Sequence, residues 1–324
     1  MHLPFQSSAP VQHLRRRAGL AKELRSFFDE RGFVEVQTPI LSRYCIIDRH
    51  LDPIRVPAVS VGVGRGNNDW YLQTSPEQSM KRLLASGIGD CYQLGPVFRS
   101  GEFGQVHNPE FTMAEWYEVG ADLEAGLTLL DELCKRLLAT PTAERVRFAD
   151  AFQHATNMEL FETTNESLGA WCVERGWVDS DSWSADWDDW VNVIFSMAIQ
   201  PSLGHHRPVL ITHFPASQAA LAQLDPSDTR TAERYELFYR GVELANGYHE
   251  LLSGTDLRGR AGLANEQRLK DGKFPLPIDN PLLDAMEHGL PASCGCALGF
   301  DRVVMLACGA SRLEEVCAFT TDRA

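Results

Sequence analysis

The segment Phe98 to Tyr117, FRSGEFGQVHNPEFTMAEWY, concentrates residue types that handle phosphate and a flat base. Arg99 carries a planar, permanently charged fork that can grip a phosphate oxygen bidentately, where a lysine would offer only a point charge. Phe111 follows a turn containing Gly101 and Gly104, so a returning strand could lay its ring against a purine, and adenine would suit that slot. Between them His107 and Asn108 supply hydrogen-bonding groups and Pro109 stiffens the return. An ordinary hairpin with a surface arginine and a core phenylalanine is the commoner fate of such residues, and two further segments weigh against it.

Near the C-terminus, GCALGFDRVVML places Gly295 and Gly299 ahead of Asp301, Arg302 and an apolar run. This reads as a strand and turn entering a helix, with glycines that let backbone approach a ligand and Arg302 able to meet a terminal phosphate; a plain helix entry with a capping Asp is the alternative. In ELFYRGVELANGYHE, Glu236 and Glu243 lie on opposite faces of one strand, but on neighbouring strands if Arg240-Gly241 turns the chain. A turn would let both carboxylates share Mg2+ beside a triphosphate, since hard divalent ions choose carboxylate and phosphate oxygens. Asn246, Tyr248 and Glu250 alternate and project to one strand face, which suits an amino-bearing substrate. A solvated strand face would alternate in the same way.

Together these segments resemble the catalytic domain of class II aminoacyl-tRNA synthetases, with the motif order kept from about Leu14 to Ala324. Motif 1 spans about 14–41 (the helix from Leu14 to Glu30 and the strand GFVEVQTPIL), motif 2 about 92–117, and motif 3 about 295–306. TSPEQSMKRLL from Thr74, HNPEFTMAEWY and ELANGYHEL resemble the lysyl branch most closely. Only about a dozen residues precede the motif 1 helix, too few for a five-stranded anticodon-binding barrel. The expectation is therefore one catalytic domain over 1–324 without that module, similar to the truncated lysyl-type paralogues that attach (R)-β-lysine to a lysine of elongation factor P. ELANGYHELLSG, HFPASQAALAQL and Ala297, where the synthetases carry Gly, support the narrower resemblance.

The resemblance implies an α+β fold, an antiparallel β-sheet flanked by helices, a homodimer built through motif 1, and use of ATP and Mg2+. It makes Arg99 and Arg302 the catalytic phosphate clamps, Phe111 the adenine stack, and Glu236 with Glu243 the metal ligands. Ser100, Gly101, Glu102, His107, Asn108, Leu244 and Gly299 would complete the ATP site. Ser75, Pro76, Glu77, Glu115, Tyr117, Asn246, Tyr248, Glu250 and Ala297 would form the amino-acid pocket. Glu250 with the Tyr117 hydroxyl would hold the distal ammonium, and Glu77 with Glu115 the other amine. The chain departs from the lysyl pattern at Gly101, usually acidic, with Glu102 next to it as the substitute, and at Gln105 and Val106, where a basic residue is usual. Rival readings are a free-standing tRNA aminoacylase or amino-acid ligase, and a catalytically silent regulatory paralogue; retention of both arginines and both metal-type glutamates speaks against silence.

Composition agrees. With 324 residues, 44% of them hydrophobic, the chain can bury a full core. A formal charge of −14 argues against extensive passive binding of tRNA backbone. HLRRRAGLAKELR is read as a helix with Leu14, Ala18, Ala21, Leu24 and Phe28 on one face and its arginines outside. Eight cysteines without a CxxC pair read as core thiols of a reducing cytoplasm rather than disulfides or zinc ligands. No signal peptide or spanning apolar run is evident, so a cytoplasmic protein without membrane contact is expected. A helical insertion is expected over about 121–205, opening with a helix from Ala121. Trp183, Trp187, Trp190, Ile194 and Ala198 fall there at helical spacing, read as core packing in preference to an aromatic docking patch.

Overall fold

The structure is a computed structural model and describes residues 5–62, 69–179 and 185–324. Along the chain the first elements are α1 (Val11–Asp29), β1 (Val34–Glu35), β2 (Leu41–Ser42), β3 (Ile54–Val56), α2 (Ala58–Val61), β4 (Trp70–Leu72) and α3 (Glu77–Ala85). Then come β5 (Cys91–Phe98), β6 (Glu110–Val119), α4 (Leu123–Leu138), β7 (Glu144–Arg147), α5 (Phe148–Thr156), α6 (Asn165–Glu174) and α7 (Trp187–Ile194). The chain closes with β8 (Val209–Pro215), β9 (Thr231–Tyr239), β10 (Val242–His249), α8 (Gly254–Lys270), α9 (Pro281–Gly289), β11 (Ser293–Gly299) and α10 (Phe300–Ala307).

An eight-stranded sheet in the order β1-β5-β6-β11-β10-β9-β8-β7 forms the centre. Its interior is antiparallel, as expected; only the outermost pairs, β1 with β5 and β7 with β8, run parallel. Period-two alternation explains how the sheet serves two layers at once. In β6, Ala114 and Trp116 enter a large apolar core with Leu20, Leu24 and Phe28 of α1, Leu127 and Leu130 of α4, and Val303 of α10. The intervening Phe111, Met113, Glu115 and Tyr117 line a cavity on the opposite face. In β9, Tyr235 and Leu237 join the same core while Arg234 and Glu236 line the cavity.

Three local expectations are corrected. The buried stripe of α1 is Leu20, Leu24, Phe27 and Phe28, with Ala18 exposed. Arg17 is not on the solvent face: it forms a 2.6 Å ion pair with buried Asp301 and donates to the Thr112 hydroxyl at 2.7 Å, tying α1 to β6 and α10. The strand after α1 is regular only at Val34–Glu35, although extended pairing continues as Val36 N donates to Tyr92 O and Thr38 N to Gln93 Oε1.

The stretch 121–205 holds helices, opening with α4 capped by Asp122, but also the edge strand β7. Trp187 and Trp190 begin a helix capped by Asp186 and pack on a second apolar core with Phe148, Phe152, Ile211 and Phe238. Core packing is thus the outcome for both; Trp183 lies outside the described residues. The eight cysteines are all free, six buried and two half-buried. Among the described residues no helix is long and apolar enough to cross a membrane.

Candidate active site

The cavity over the sheet has a volume of about 800 Å³ and spans the strand face from Phe111 to Glu250. Its floor is made shallow by β11, where Gly295, Ala297 and Gly299 face inward between bulkier neighbours. Gly295 pairs with Tyr117 on one side and Tyr248 on the other, and Ala297 sits between Glu115 and Asn246. A Cβ on Gly295 would lie 2.3 Å from Glu250 Oε1 and 2.5 Å from the Tyr117 ring, so only glycine leaves both side chains where they are.

One end of the cavity carries cationic and aromatic groups. Strands β5 and β6 pair up to Phe98–Glu110, and Arg99 N donates to Pro109 O, so Arg99 and Phe111 meet at the base of the hairpin. The Arg99 guanidinium lies 5.1 Å from the centre of the Phe111 ring, and its buried Nε has no hydrogen-bond partner. A buried donor left open in this way suits an anionic ligand. Glu102 sits 3.7 Å from Arg99 and lines the cavity, whereas its neighbours Ser100 and Gly101 do not; those two, and Pro76, which precedes α3, fall outside the lining. Asn108 lines the cavity, but its amide is occupied by the backbone at Glu110 O (2.6 Å) and Thr321 N (3.1 Å).

Arg302, on the first turn of α10 beside Gly299, holds the tip of the same hairpin. It donates to Val106 O at 3.2 Å, to Glu243 O at 2.9 Å and to His107 Nε2 at 2.8 Å. Because Arg is donor-only, His107 accepts there as the neutral imidazole with its proton on Nδ1. Burial and the adjacent Arg302 cation lower the His107 pKa, which favours that neutral form.

The two glutamates upstream meet as the conditional reading required. Arg240 and Gly241 both have positive φ (53° and 75°) and form a two-residue hairpin turn, placing Glu236 on β9 and Glu243 on β10. A register shift between Glu243 and Ala245 lets odd-numbered Glu243 share the cavity face with even-numbered Asn246 and Tyr248. Burial pushes the Glu236 carboxyl up; Arg234 at 2.5 Å opposes this, and the nearby Glu243 charge adds to it. A buried carboxyl whose proton affinity is raised beside a second carboxylate is suited to sharing a divalent cation with it, with phosphate oxygens filling the remaining positions. Among the described residues no group of three or more His, Cys, Asp or Glu side chains is arranged to hold a metal ion.

The other end is acidic. Ser75 Oγ donates to Glu115 Oε2 at 2.5 Å, and the Tyr117 hydroxyl donates to Glu115 Oε1 at 2.7 Å. The Tyr117 hydroxyl, expected to join Glu250 around the distal ammonium, bonds Glu115 here, while its ring lies beside Glu250 at Gly295. Asn246 donates to the Tyr248 hydroxyl at 2.9 Å and accepts from Arg234 Nε at 3.3 Å. Glu77, Glu115 and Glu250 are all buried along this wall. Burial and neighbouring carboxylates push Glu115 up to about 7 and Glu250 up to about 8.

A ligand carrying two ammonium groups would stabilise the ionised forms and drive protons off. Binding of such a diamine at pH 7 is expected to release on the order of one proton. Affinity should rise with pH through the window from about 7 to about 8 in which these carboxyls titrate. Calorimetry in buffers of different ionisation enthalpy checks this; identical heats in all buffers would refute it.

Sequence reasoning missed Lys81 and Arg234. Both had a signal: Lys81 follows Glu77 by four residues on α3, and Arg234 shares its strand face with Glu236. It also missed the loop 46–51 and Asp186, Asp188 and Asn192 from the insertion, which line the cavity. Their neighbourhood is tertiary: Arg49 reaches Asp189 at 2.9 Å and Asp271 at 2.8 Å.

A mostly antiparallel sheet backed by helices, with a hairpin arginine and a helix-start arginine facing a carboxylate pair, is the arrangement of a class II synthetase-type catalytic domain. The chain matches the family model "tRNA synthetases class II (D, K and N)" over residues 2–323 and belongs to that family. Among its curated relatives, an "Elongation factor P--(R)-beta-lysine ligase" of Klebsiella pneumoniae (strain 342) is 43% identical over 320 residues, 99% of this chain and 98% of the relative. Proteins of the same name from Edwardsiella ictaluri (strain 93-146) and Erwinia tasmaniensis are 43% and 41% identical, over 99% and 98% of this chain and 98% of each relative.

Proposed function

We propose that this chain is an ATP-dependent ligase that activates (R)-β-lysine as an aminoacyl-adenylate and transfers it to the ε-amine of a lysine on elongation factor P. The observation that carries the reading is one cavity with an open arginine donor and carboxylate pair at one end and buried carboxylates at the other. A nucleoside triphosphate and a diamine with a carboxylate fit that polarity, and the relatives bear the corresponding name.

In the first step a carboxylate oxygen of the amino acid forms a bond to the α-phosphorus, and the bond to the pyrophosphate leaving group breaks. Arg99 stabilises charge on the α-phosphate oxygens, Phe111 stacks the adenine, and Arg302 receives the departing phosphates after exchanging some of its contacts with the hairpin tip. Glu236 and Glu243 would hold Mg2+, which supplies charge neutralisation on the phosphates when bound. Glu115, braced by Ser75 and Tyr117, and Glu250 hold the two ammonium groups, with Asn246, Tyr248 and Ala297 shaping the space between. In the second step the acceptor amine attacks the activated carbonyl, the bond to AMP breaks, and an amide forms as the amine loses a proton. Positioning of the two reactants supplies most of the acceleration.

The reading carries with it a cytoplasmic homodimer joined through α1 and the strand that follows, and no stable tRNA complex. The charge of −14 supports the last point against a free-standing tRNA aminoacylase. The test is intact-mass analysis of elongation factor P after incubation with the protein, ATP, Mg2+ and either (R)-β-lysine or α-lysine, with a tRNA mixture in parallel. The expected result is a lysyl mass increase on the factor, larger with β-lysine and absent from tRNA. Transfer to tRNA alone would replace this reading with the aminoacylase.

A further inference from the structure

Behind the acidic wall lies a side chain that the catalytic reading does not use. Lys81 sits on the inward face of α3, between Met80 and Leu84 in the neighbouring apolar cluster, and is 2% exposed. It does not line the cavity. Its Nζ is 2.5 Å from Glu77 Oε1 and 2.5 Å from Glu250 Oε2, and 5.9 Å from the centre of the Tyr117 ring. A fully buried ammonium is retained only when paired, and here two carboxylates from distant segments share it.

We propose that Lys81 is a specificity-determining positioning residue: as a built-in ammonium it holds Glu77 and Glu250 in place and cancels one pocket charge, so that the pocket takes a ligand with two ammonium groups. The proposal rests on the reading of this end of the cavity as an amine site. The charge count follows from the geometry. Three buried carboxylates, Glu77, Glu115 and Glu250, face one buried lysine, so once a ligand has driven all three to their ionised forms two negative charges are left for its ammonium groups to meet. Glu115 is braced separately, by Ser75 and Tyr117, and takes no part in the Lys81 pair. Lys81 Nζ occupies Glu250 Oε2 at 2.5 Å, whereas Glu250 Oε1 stands on the cavity side beside Gly295 and Tyr117, where a ligand N–H can reach it. Lys81 thus fixes where Glu250 stands without saturating it. Removing the ammonium would leave Glu77 and Glu250 facing each other without the cation that favours the ionised form of Glu250, so that Glu250 would stay a protonated donor where the substrate ammonium needs an acceptor.

Lys81→Met keeps the length of the stem and removes the charge. It is expected to raise KM for β-lysine by about 10- to 100-fold in pyrophosphate exchange, with KM for ATP within about twofold. Lys81→Ala supplemented with propylammonium should recover much of the lost affinity, whereas propanol should not. In the unaltered protein, 1,5-diaminopentane should compete with β-lysine at least about tenfold better than pentylamine, because one ammonium leaves a pocket charge unmet. Equal rises in both KM values, rescue by propanol as readily as by propylammonium, or no preference between the two amines would each overturn the proposal. If the unaltered protein activates neither lysine isomer, the functional reading falls and takes this one with it. Activation by the unaltered protein together with an unchanged KM in Lys81→Met removes Lys81 alone.

Discussion

Arg99→Ala is expected to lower kcat for adenylate formation by about 10²- to 10³-fold, the effect of removing one preorganised donor from developing transition-state charge. Arg99 is the stronger of the two clamp candidates in the resting structure because its buried Nε is unpartnered. Arg302, by contrast, is already engaged with Val106, His107 and Glu243. Its contribution therefore includes holding the hairpin tip, and its loss should alter ATP affinity as well as rate. Arg99→Lys should recover little, since a point charge cannot reproduce the fork while stacking beside Phe111. ATP–pyrophosphate exchange measures the step directly, and a loss smaller than about tenfold would remove Arg99 from the reacting centre.

Glu250→Gln is expected to weaken use of the diamine substrate by about 10²-fold or more, the scale of removing one partner from a buried charge pair, while ATP binding stays within about twofold. The site explains the size. Glu250 is 1% exposed beside Gly295 and Tyr117, so a ligand ammonium placed there is left with little solvent to replace the lost charge. Lys81 keeps Glu77 as its partner in the variant, which limits collateral loss of stability. Calorimetric titration with ATP and with β-lysine separates the two effects, and parallel loss of both affinities would place Glu250 outside the amine pocket.

These predictions draw on residues of different legibility. Glu115 and Tyr117 came from the resemblance of HNPEFTMAEWY to the lysyl branch, but Asn246, Tyr248 and Glu250 were readable because alternation along one strand is local: any extended segment puts every second side chain on one face, whatever lies beyond it. The same local logic made the Glu236–Glu243 pairing conditional on a turn at Arg240-Gly241, and the positive φ of both turn residues meets that condition. The shift near Ala245, which lets Glu243 share a face with Asn246, was not legible, since a bulge depends on how two strands are held in register. Arg17 was misjudged for a related reason: its partner Asp301 stands at the far end of the chain, and only packing of α10 against α1 brings them together.

By itself, then, the sequence pointed to a kind of chemistry: an arginine fork, a ring suited to a base, a carboxylate pair conditional on a turn, and a polar strand face ending in Glu250 follow from residue type and short-range spacing. The sheet-and-helix architecture came through the resemblance of its motifs to the class II synthetases, while helical periodicity marked the helices from Leu14 and Ala121. Only the tertiary structure decided who shares a proton or a charge with whom. Tyr117 bonds Glu115 rather than Glu250, and Lys81 joins Glu77 on its own helix to Glu250 at the end of β10. Electrostatic partnership falls off within a few ångströms and is set by burial, and neither quantity exists until distant segments are packed together.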